Sequence, residues 1–397
     1  MLVNPYNGYY IYNERKVGTA SEVLAAIIAN NDSNPDVRLW FHDEVFSGLD
    51  WSVEPEIDIQ TLYVQRAKQL REEYDYLILQ FSGGSDSSQI LQTFLRHGIF
   101  IDEVRSVYPV KIANQLSKNI QYNDHTNTLG LYWEFTAACL PQLLQVQRDS
   151  PNTKINVVDY SGQFLGDIKN DYLVEENKDI FIFTSFLKTT DTQPGSWWNA
   201  IRNIVTQKSL EDIEKLKHRK VGVIIGADKP KFFIQDHRLY FNFTSFGRSQ
   251  AGVQPTLRNN RYVEELFYWS PNFPLIPIKQ SHLIRNALNL SAIQMEKFLN
   301  VPYGPRVHFY ESLFVKKILY PYFNERLYYK DKFYDGAFIG SEGSDSVKIL
   351  KEKVAHIKSE LKILRVPEII PHAASKRYFV GNLKPLEELQ SVTSSNN

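Results

Sequence analysis

Seven consecutive residues, Ser82-Gly83-Gly84-Ser85-Asp86-Ser87-Ser88, place four hydroxyls, two glycines and one carboxylate in a single short stretch. Glycines let the backbone curl and let a phosphate come close, because no Cβ blocks the approach. The hydroxyls of Ser82, Ser87 and Ser88 add donors around the same concavity. Asp86 is the odd member. A carboxylate beside a phosphate is repulsive unless a cation lies between them, which assigns Asp86 to Mg²⁺. The spacing is neither Gly-x-x-x-x-Gly-Lys-Ser/Thr, with its phosphate-binding lysine, nor the dinucleotide-binding Gly-x-Gly-x-x-Gly.

The flanking residues say what must position this loop. Before it, "YLILQF" is a continuous, mostly apolar run suited to a buried parallel strand. After it, "DSSQILQTFLRHG" places Ile90, Leu91, Phe94 and Leu95 on one helical stripe and ends at Gly98, a C-cap. A strand-loop-helix of this kind points unpaired N–H groups and a partial positive charge into the crevice at a sheet's carboxyl edge. Upstream, Ile59, Leu62, Tyr63, Arg66, Ala67 and Leu70 recur at helical spacing. Downstream, "EVRSVY", "KINVVDY", "IFIF" and "VGVII" read as strands, and residues 126–146 and "SLEDIEKLKHRK" as helices. Strands alternating with helices predict an α/β fold with a doubly wound, mainly parallel sheet over residues 56–290. Residues 1–55 read as a small α+β unit with a hairpin in "GYYIYNERKVGT", a capping box in "TASE" and a strand in "VRLWFHDEVF". "KFFIQDHRLYFNF" reads as a hairpin around Gln235 and Asp236, and residues 291–397 as mostly helical with a polar, frayed tail.

The run Ser-Gly-Gly-x-Asp-Ser after an apolar strand resembles the PP-loop of the N-type ATP pyrophosphatases, and residues 82–88 match it in full. The resemblance covers about Leu62 to Leu290 and implies the adenine nucleotide alpha-hydrolase-like fold. It also implies ATP and Mg²⁺ as cofactors, with pyrophosphate held by the loop. A substrate oxygen then attacks the α-phosphorus, pyrophosphate leaves, and an amine, ammonia or sulfur nucleophile displaces the adenylate. Carried onto this chain, the nucleotide-binding positions are Ser82, Gly83, Gly84, Ser85, Asp86, Ser87 and Ser88.

A second carboxylate facing Asp86 is expected if the pair is to hold Mg²⁺ against pyrophosphate. "VGVIIGADKP" supplies one at a strand's end: Gly226 opens the turn, Asp228 reaches toward the metal and Lys229 offers positive charge. Asparagine synthetases place a Gly-rich turn with an acidic residue in this part, typically Gly-x-Gly-Ser/Ala-Asp-Glu, and Gly226-Ala227-Asp228-Lys229 matches it in part. "FIGSEGSDS" at 338–346 is closer letter by letter, but its polar context reads as an exposed loop. Lys279 and His282 stand three apart on one predicted helix face, where a lysine would stabilise a phosphoryl transition state and a histidine would carry a proton. A solvated face is the competing reading. Glu134 is a charge on an otherwise apolar predicted helix, read equally as a crevice residue meeting substrate or ribose and as a half-exposed helix carboxylate, and Lys316 and Lys317 read as snorkelling surface lysines beside an apolar stripe.

Composition narrows the branch. Lys+Arg and Asp+Glu are equal at 45 each in 397 residues, so net charge gives no case for a nucleic-acid or membrane partner. Aromatic residues at 13% in a neutral chain read as core side chains rather than base-stacking platforms. The single cysteine, Cys139, excludes an internal disulfide and multi-cysteine zinc or iron–sulfur sites, and is a poor persulfide carrier. The sulfur-transfer and deazapurine-nitrile branches are thereby disfavoured. With no secretory leader and no apolar run of the about 18 residues that span a bilayer, the expectation is a soluble cytoplasmic protein. Leu2 stands where a glutaminase half would carry its cysteine nucleophile, so ammonia, an amino donor or a separate amidotransferase subunit is expected to supply any nitrogen. "IIGADKP" and "ELFYWSPNFPLIPIKQSH" are together similar to asparagine-synthetase-like proteins of tailed phages. The leading expectation is an adenylating, C–N bond-forming ligase acting on an unidentified acceptor. Alternatives are an inactive nucleotide-binding or virion-assembly protein and a nucleic-acid base-modifying enzyme.

Overall fold

The computed structural model of the chain describes residues 8–17, 23, 26–27, 29–30, 32, 35–108, 138–159, 208–226, 231–243, 261–299, 315–324 and 375–394. At the N-terminus β1 (Tyr9–Tyr12) pairs antiparallel with β2 (Arg15–Val17) and with β3 (Val37–Trp40). Asn13 and Glu14 close the β1–β2 hairpin at φ 46° and 63°, the left-handed turn that matches strand twist. A single turn, α1 (Asp43–Phe46), follows. Next comes α2 (Ile59–Glu73), capped by Asp58, whose carboxylate accepts from the Thr61 N–H at 2.9 Å. Its buried stripe is the one the sequence spacing predicts: Ile59, Leu62, Tyr63, Arg66, Ala67 and Leu70.

The α/β body continues as β4 (Tyr76–Gln80), α3 (Ser85–Arg96), β5 (Glu103–Tyr108), α4 (Leu140–Asp149), β6 (Lys154–Asp159) and β7 (Val221–Ile225). Gly98, at φ 61°, ends α3 by returning its own N–H to the Leu95 carbonyl and the Ile99 N–H to that of Phe94. The antiparallel hairpin β8 (Lys231–Gln235) and β9 (Arg238–Asn242) turns at Asp236 and His237, again both at positive φ, one residue later than the sequence suggests. After it come β10 (Tyr262–Leu266), α5 (Leu275–Leu288), α6 (Ala292–Leu299), β11 (Tyr378–Asn382) and α7 (Leu386–Ser394).

Five strands form one wholly parallel sheet in the order β10-β7-β4-β5-β6, so the fold class is α/β with β4, the strand that runs into residues 82–88, at the centre. Leu77, Ile78 and Leu79 of β4 are fully buried, which is what cover on both faces produces. Two elements depart from the sequence reading. β10 was not legible as a strand, and β11 lies in the region expected to be mostly helical, where it pairs with β9 to make a second antiparallel sheet, β11-β9-β8.

Many of the described aromatic side chains lie in the core, while Phe100 and Phe379 are exposed. Phe41, Phe46, Trp51, Phe243, Trp269 and Tyr378 pack together, with Trp51 stacked on Tyr378 at 4.6 Å and Phe243 edge-on to Trp269 at 5.0 Å. This cluster ties the N-terminal sheet, the hairpin sheet and the end of β10 to one core. Among the described residues no helix is long and apolar enough to cross a membrane.

Candidate functional site

The loop leaves the sheet at the carboxyl end of the central strand. The Phe81 N–H still donates to the Arg105 carbonyl at 2.7 Å, and Ser82 is the first residue beyond the ladder. Gly83 then takes φ 78°, and a Cβ there would lie 2.7 Å from the backbone N and Cα of Cys139, so both conformation and space require glycine. Gly84 is the N-cap of α3, in extended conformation at φ −68° and ψ 164°.

The serines hold the loop to itself. Ser82 Oγ and Ser87 Oγ are 3.2 Å apart, the Gly84 N–H donates to Ser82 Oγ at 3.2 Å, and Ser88 Oγ donates to the Gly83 carbonyl at 3.1 Å. From outside, Gln142 donates to Ser88 Oγ at 2.9 Å and the Tyr108 hydroxyl donates to the Ser82 carbonyl. The hydroxyls expected to surround a ligand are thus engaged in shaping the turn. What remains for an anion is the first turn of α3, whose leading N–H groups have no intrahelical acceptor, and the Ser85 hydroxyl, buried without a hydrogen-bond partner among the described residues.

Gly226 closes the loop's other side. A Cβ there would meet Ile90 Cδ1 at 2.8 Å and would come within 3.4 Å of the Asp86 carbonyl carbon and the Ser87 nitrogen. The end of β7 therefore lies directly against the first turn of α3, where the sequence placed a second anchor. Asp228 and Lys229 themselves lie outside the described residues, as do Glu134 and the stretch 338–346.

Asp86 is nearly buried and fully engaged. Tyr320 donates its hydroxyl to Oδ1 at 2.6 Å, Lys316 Nζ lies 3.6 Å from Oδ2, and Tyr268 donates to the Asp86 main-chain carbonyl at 2.8 Å. Burial, with the charge of Asp86 beside it, pushes the Tyr320 hydroxyl well above its ordinary range and keeps it a donor. Lys316 is 4% exposed, which corrects its reading as a snorkelling surface lysine; Lys317, next to it, is exposed. The partnership was not legible in the sequence because 230 residues separate the two and an apolar stripe explains a lysine equally well.

Lys279 and His282 share a helix, α5, but face a different neighbour. Lys279 donates to Glu54 Oε1 at 2.8 Å and to the Pro55 carbonyl at 2.9 Å, and His282 Nε2 lies 3.0 Å from the Trp51 carbonyl. Burial holds the His282 imidazole below its ordinary value, so it stays neutral, and its Nδ1 is buried without a partner among the described residues. Neither side chain bonds to the 82–88 loop. Both tie α5 to the stretch between α1 and α2.

The donor set at the loop can be tested against Mg²⁺. That ion favours one or two carboxylates together with phosphate oxygens and waters. Among the described residues no three His, Cys, Asp or Glu side chains form a metal-binding group, and the one carboxylate at the loop is already neutralised by an ammonium. A second cation at Asp86 would sit against Lys316. Asp86, engaged by Lys316 and Tyr320, is not open to a Mg²⁺ ion in this arrangement, and Asp228, the second expected ligand, lies outside the described residues.

No protein-family model matches the chain, and no curated protein matches it. Among solved structures the chain is similar to an NAD⁺ synthetase from Burkholderia pseudomallei, at 13% identity over 81% of this chain and 95% of that one, with a TM-score of 0.27. The strand order and the loop geometry, rather than this likeness, carry the reading of the site.

Proposed function

We propose that the chain is an ATP-dependent adenylating enzyme that cleaves ATP to AMP and pyrophosphate. In this reading the 82–88 loop binds the β- and γ-phosphates at the N-terminus of α3. An acceptor oxygen attacks the α-phosphorus, the bond from that phosphorus to the bridging oxygen breaks, and pyrophosphate leaves with the electron pair. An amine or ammonia then attacks the activated carbon and AMP departs, forming a C–N bond. The acceptor is a carboxylate, amide or base oxygen, and the nitrogen comes from solution or from a separate donor subunit.

One observation carries the proposal: a Ser-Gly-Gly-Ser-Asp-Ser-Ser turn at the carboxyl end of the central parallel strand, with Gly83 held at positive φ and Gly84 opening the N-terminus of α3 directly behind it. Backbone N–H groups and a helix dipole bind an anion without moving, which is the property a leaving pyrophosphate needs. The loop's internal hydrogen bonds fix that cradle in advance.

The test is the identity of the products. The protein is incubated with ATP, Mg²⁺, ammonium and a pool of carboxylic acids, and AMP and pyrophosphate are expected in equal amounts. Their loss in Gly83→Ala would tie the reaction to the loop. Formation of ADP and orthophosphate instead would contradict the proposal, and ATP binding without turnover of any acceptor would support a nucleotide-binding protein without catalysis.

A further inference from the structure

Residues 315–324 lie across α2 and α3, the helices before and after the central strand. The Tyr63 hydroxyl of α2 donates to the Leu319 carbonyl at 3.1 Å, and the Tyr322 N–H donates to Gln89 Oε1 of α3 at 3.0 Å. The Tyr322 hydroxyl lies 3.0 Å from Gln60 Nε2 and 2.9 Å from His97 Nε2, while the Arg96 guanidinium covers its ring at 4.6 Å. Tyr320 stacks on Tyr268 at 5.5 Å, and Tyr268 in turn bonds the Asp86 carbonyl. The strap is therefore tied to α2, to both ends of α3 and to the segment after β10.

Helical spacing within the strap delivers two groups to one point. Lys316 and Tyr320 are four residues apart, joined by a Tyr320 N–H to Lys316 carbonyl bond of 3.0 Å, and so lie on one face. Both end on Asp86, one on each carboxylate oxygen. The Lys316 side chain is 5% exposed and that of Asp86 12%, so the ion pair is largely removed from water. A buried ammonium demands a partner, and a buried carboxylate with a lysine and a tyrosine on it has little reason to recruit a divalent ion.

We propose that Lys316, held by Tyr320 and Asp86, is the built-in counter-cation of the phosphate cradle and takes the place of a metal ion hung from Asp86. Asp86 is then a positioning residue: from the first turn of α3 it holds the buried ammonium beside the loop, and the charge that a phosphate bound there would meet is the lysine's. The proposal rests on reading the loop as a phosphate site, so its test has one arm that depends on that reading and one that does not.

The first arm measures binding of inorganic pyrophosphate to the full chain by calorimetry in the presence of a chelator. Binding without metal is expected, weakened about ten-fold or more in Lys316→Met and in Lys316→Gln, as loss of one charge-assisted contact predicts. Binding that requires Mg²⁺ and is unaffected by either lysine variant would overturn the proposal. The second arm needs no ligand. In thermal unfolding, Lys316→Met and Asp86→Asn are each expected to lower the midpoint, and the double variant to lie above the sum of the two losses. Additive losses would show that the pair is not coupled and would overturn the strap's role. Coupling with no pyrophosphate binding under any condition would overturn the counter-cation and the phosphate site together, leaving the strap as a structural tie.

Discussion

Gly83 concentrates the constraints on the loop in one residue. Its φ of 78° costs an L-residue about 1–2 kcal/mol. A methyl group would also overlap the Cys139 backbone at 2.7 Å, and backbone cannot swing aside as a side chain can. Overpacking of that kind adds about 1–3 kcal/mol. Gly83→Ala is expected to lower stability by the sum of these two effects in denaturant unfolding and to abolish ATP binding; a variant as stable as the wild type would mean the turn is not built this way. Gly226 is more forgiving, since its nearest obstacle at 2.8 Å is the flexible tip of Ile90. Gly226→Ala is expected to weaken nucleotide binding more than it weakens the fold, because the side chain would press on the first turn of α3; calorimetric titration beside thermal unfolding separates the two effects. These glycines were legible in the sequence as a motif. Their reasons were not, since Cys139 and α3 approach them only in the folded chain.

At the scale of elements, what the sequence revealed followed burial. β4 sits centrally, is covered on both faces and reads as an apolar run, and α2 presents one stripe to the core, so both were legible. β10 was hidden by Glu264 and Glu265, a charged pair in a strand whose five residues are all buried. Glu265 is tolerated because Arg66 of α2 meets it at 2.7 Å, with exposures of 0% and 6%, and the Tyr74 hydroxyl donates to its other oxygen. Removing one member leaves the other charged and unpaired, which costs about 3–5 kcal/mol. Glu265→Ala is expected to lose that much in urea unfolding, and the pair Arg66→Met with Glu265→Leu to recover most of it. A loss below about 1 kcal/mol would place the ion pair among those exposed to solvent. The strap at 315–324 was hidden for a related reason. Its charge looks superficial until Asp86, distant in sequence, is brought to it.

Across the whole molecule, the second face of the sheet carries a buried charge network that answers to pH. Arg105 lies between Glu103 at 2.6 Å and Asp212 at 2.7 Å. Burial alone would raise the Glu103 carboxyl, but the Arg105 guanidinium, with Asn156 and Lys154, holds it down from 4.5 to about 2. Stability from this group is therefore present above about pH 4.5 and is lost as pH falls through about 2. Asp212 runs the other way, because burial outweighs its attraction to Arg105 and raises its carboxyl; its contribution is present on the acid side and lost as pH rises through that raised value. Glu103→Gln is expected to destabilise the protein at neutral pH and to converge on the wild type toward pH 2 in acid titrations followed by tryptophan fluorescence. A constant gap across that range would refute the assignment.

The proposed function makes one chemical claim, that ATP is opened at its α-phosphorus with pyrophosphate as the leaving group. The most direct measurement is exchange of radiolabelled pyrophosphate into ATP, which occurs only when adenylation is reversible on the enzyme. Label is expected to enter ATP when the acceptor pool is present, to stay out when it is omitted, and to stay out in Gly83→Ala. Release of ADP and orthophosphate with no label entering ATP would contradict the account.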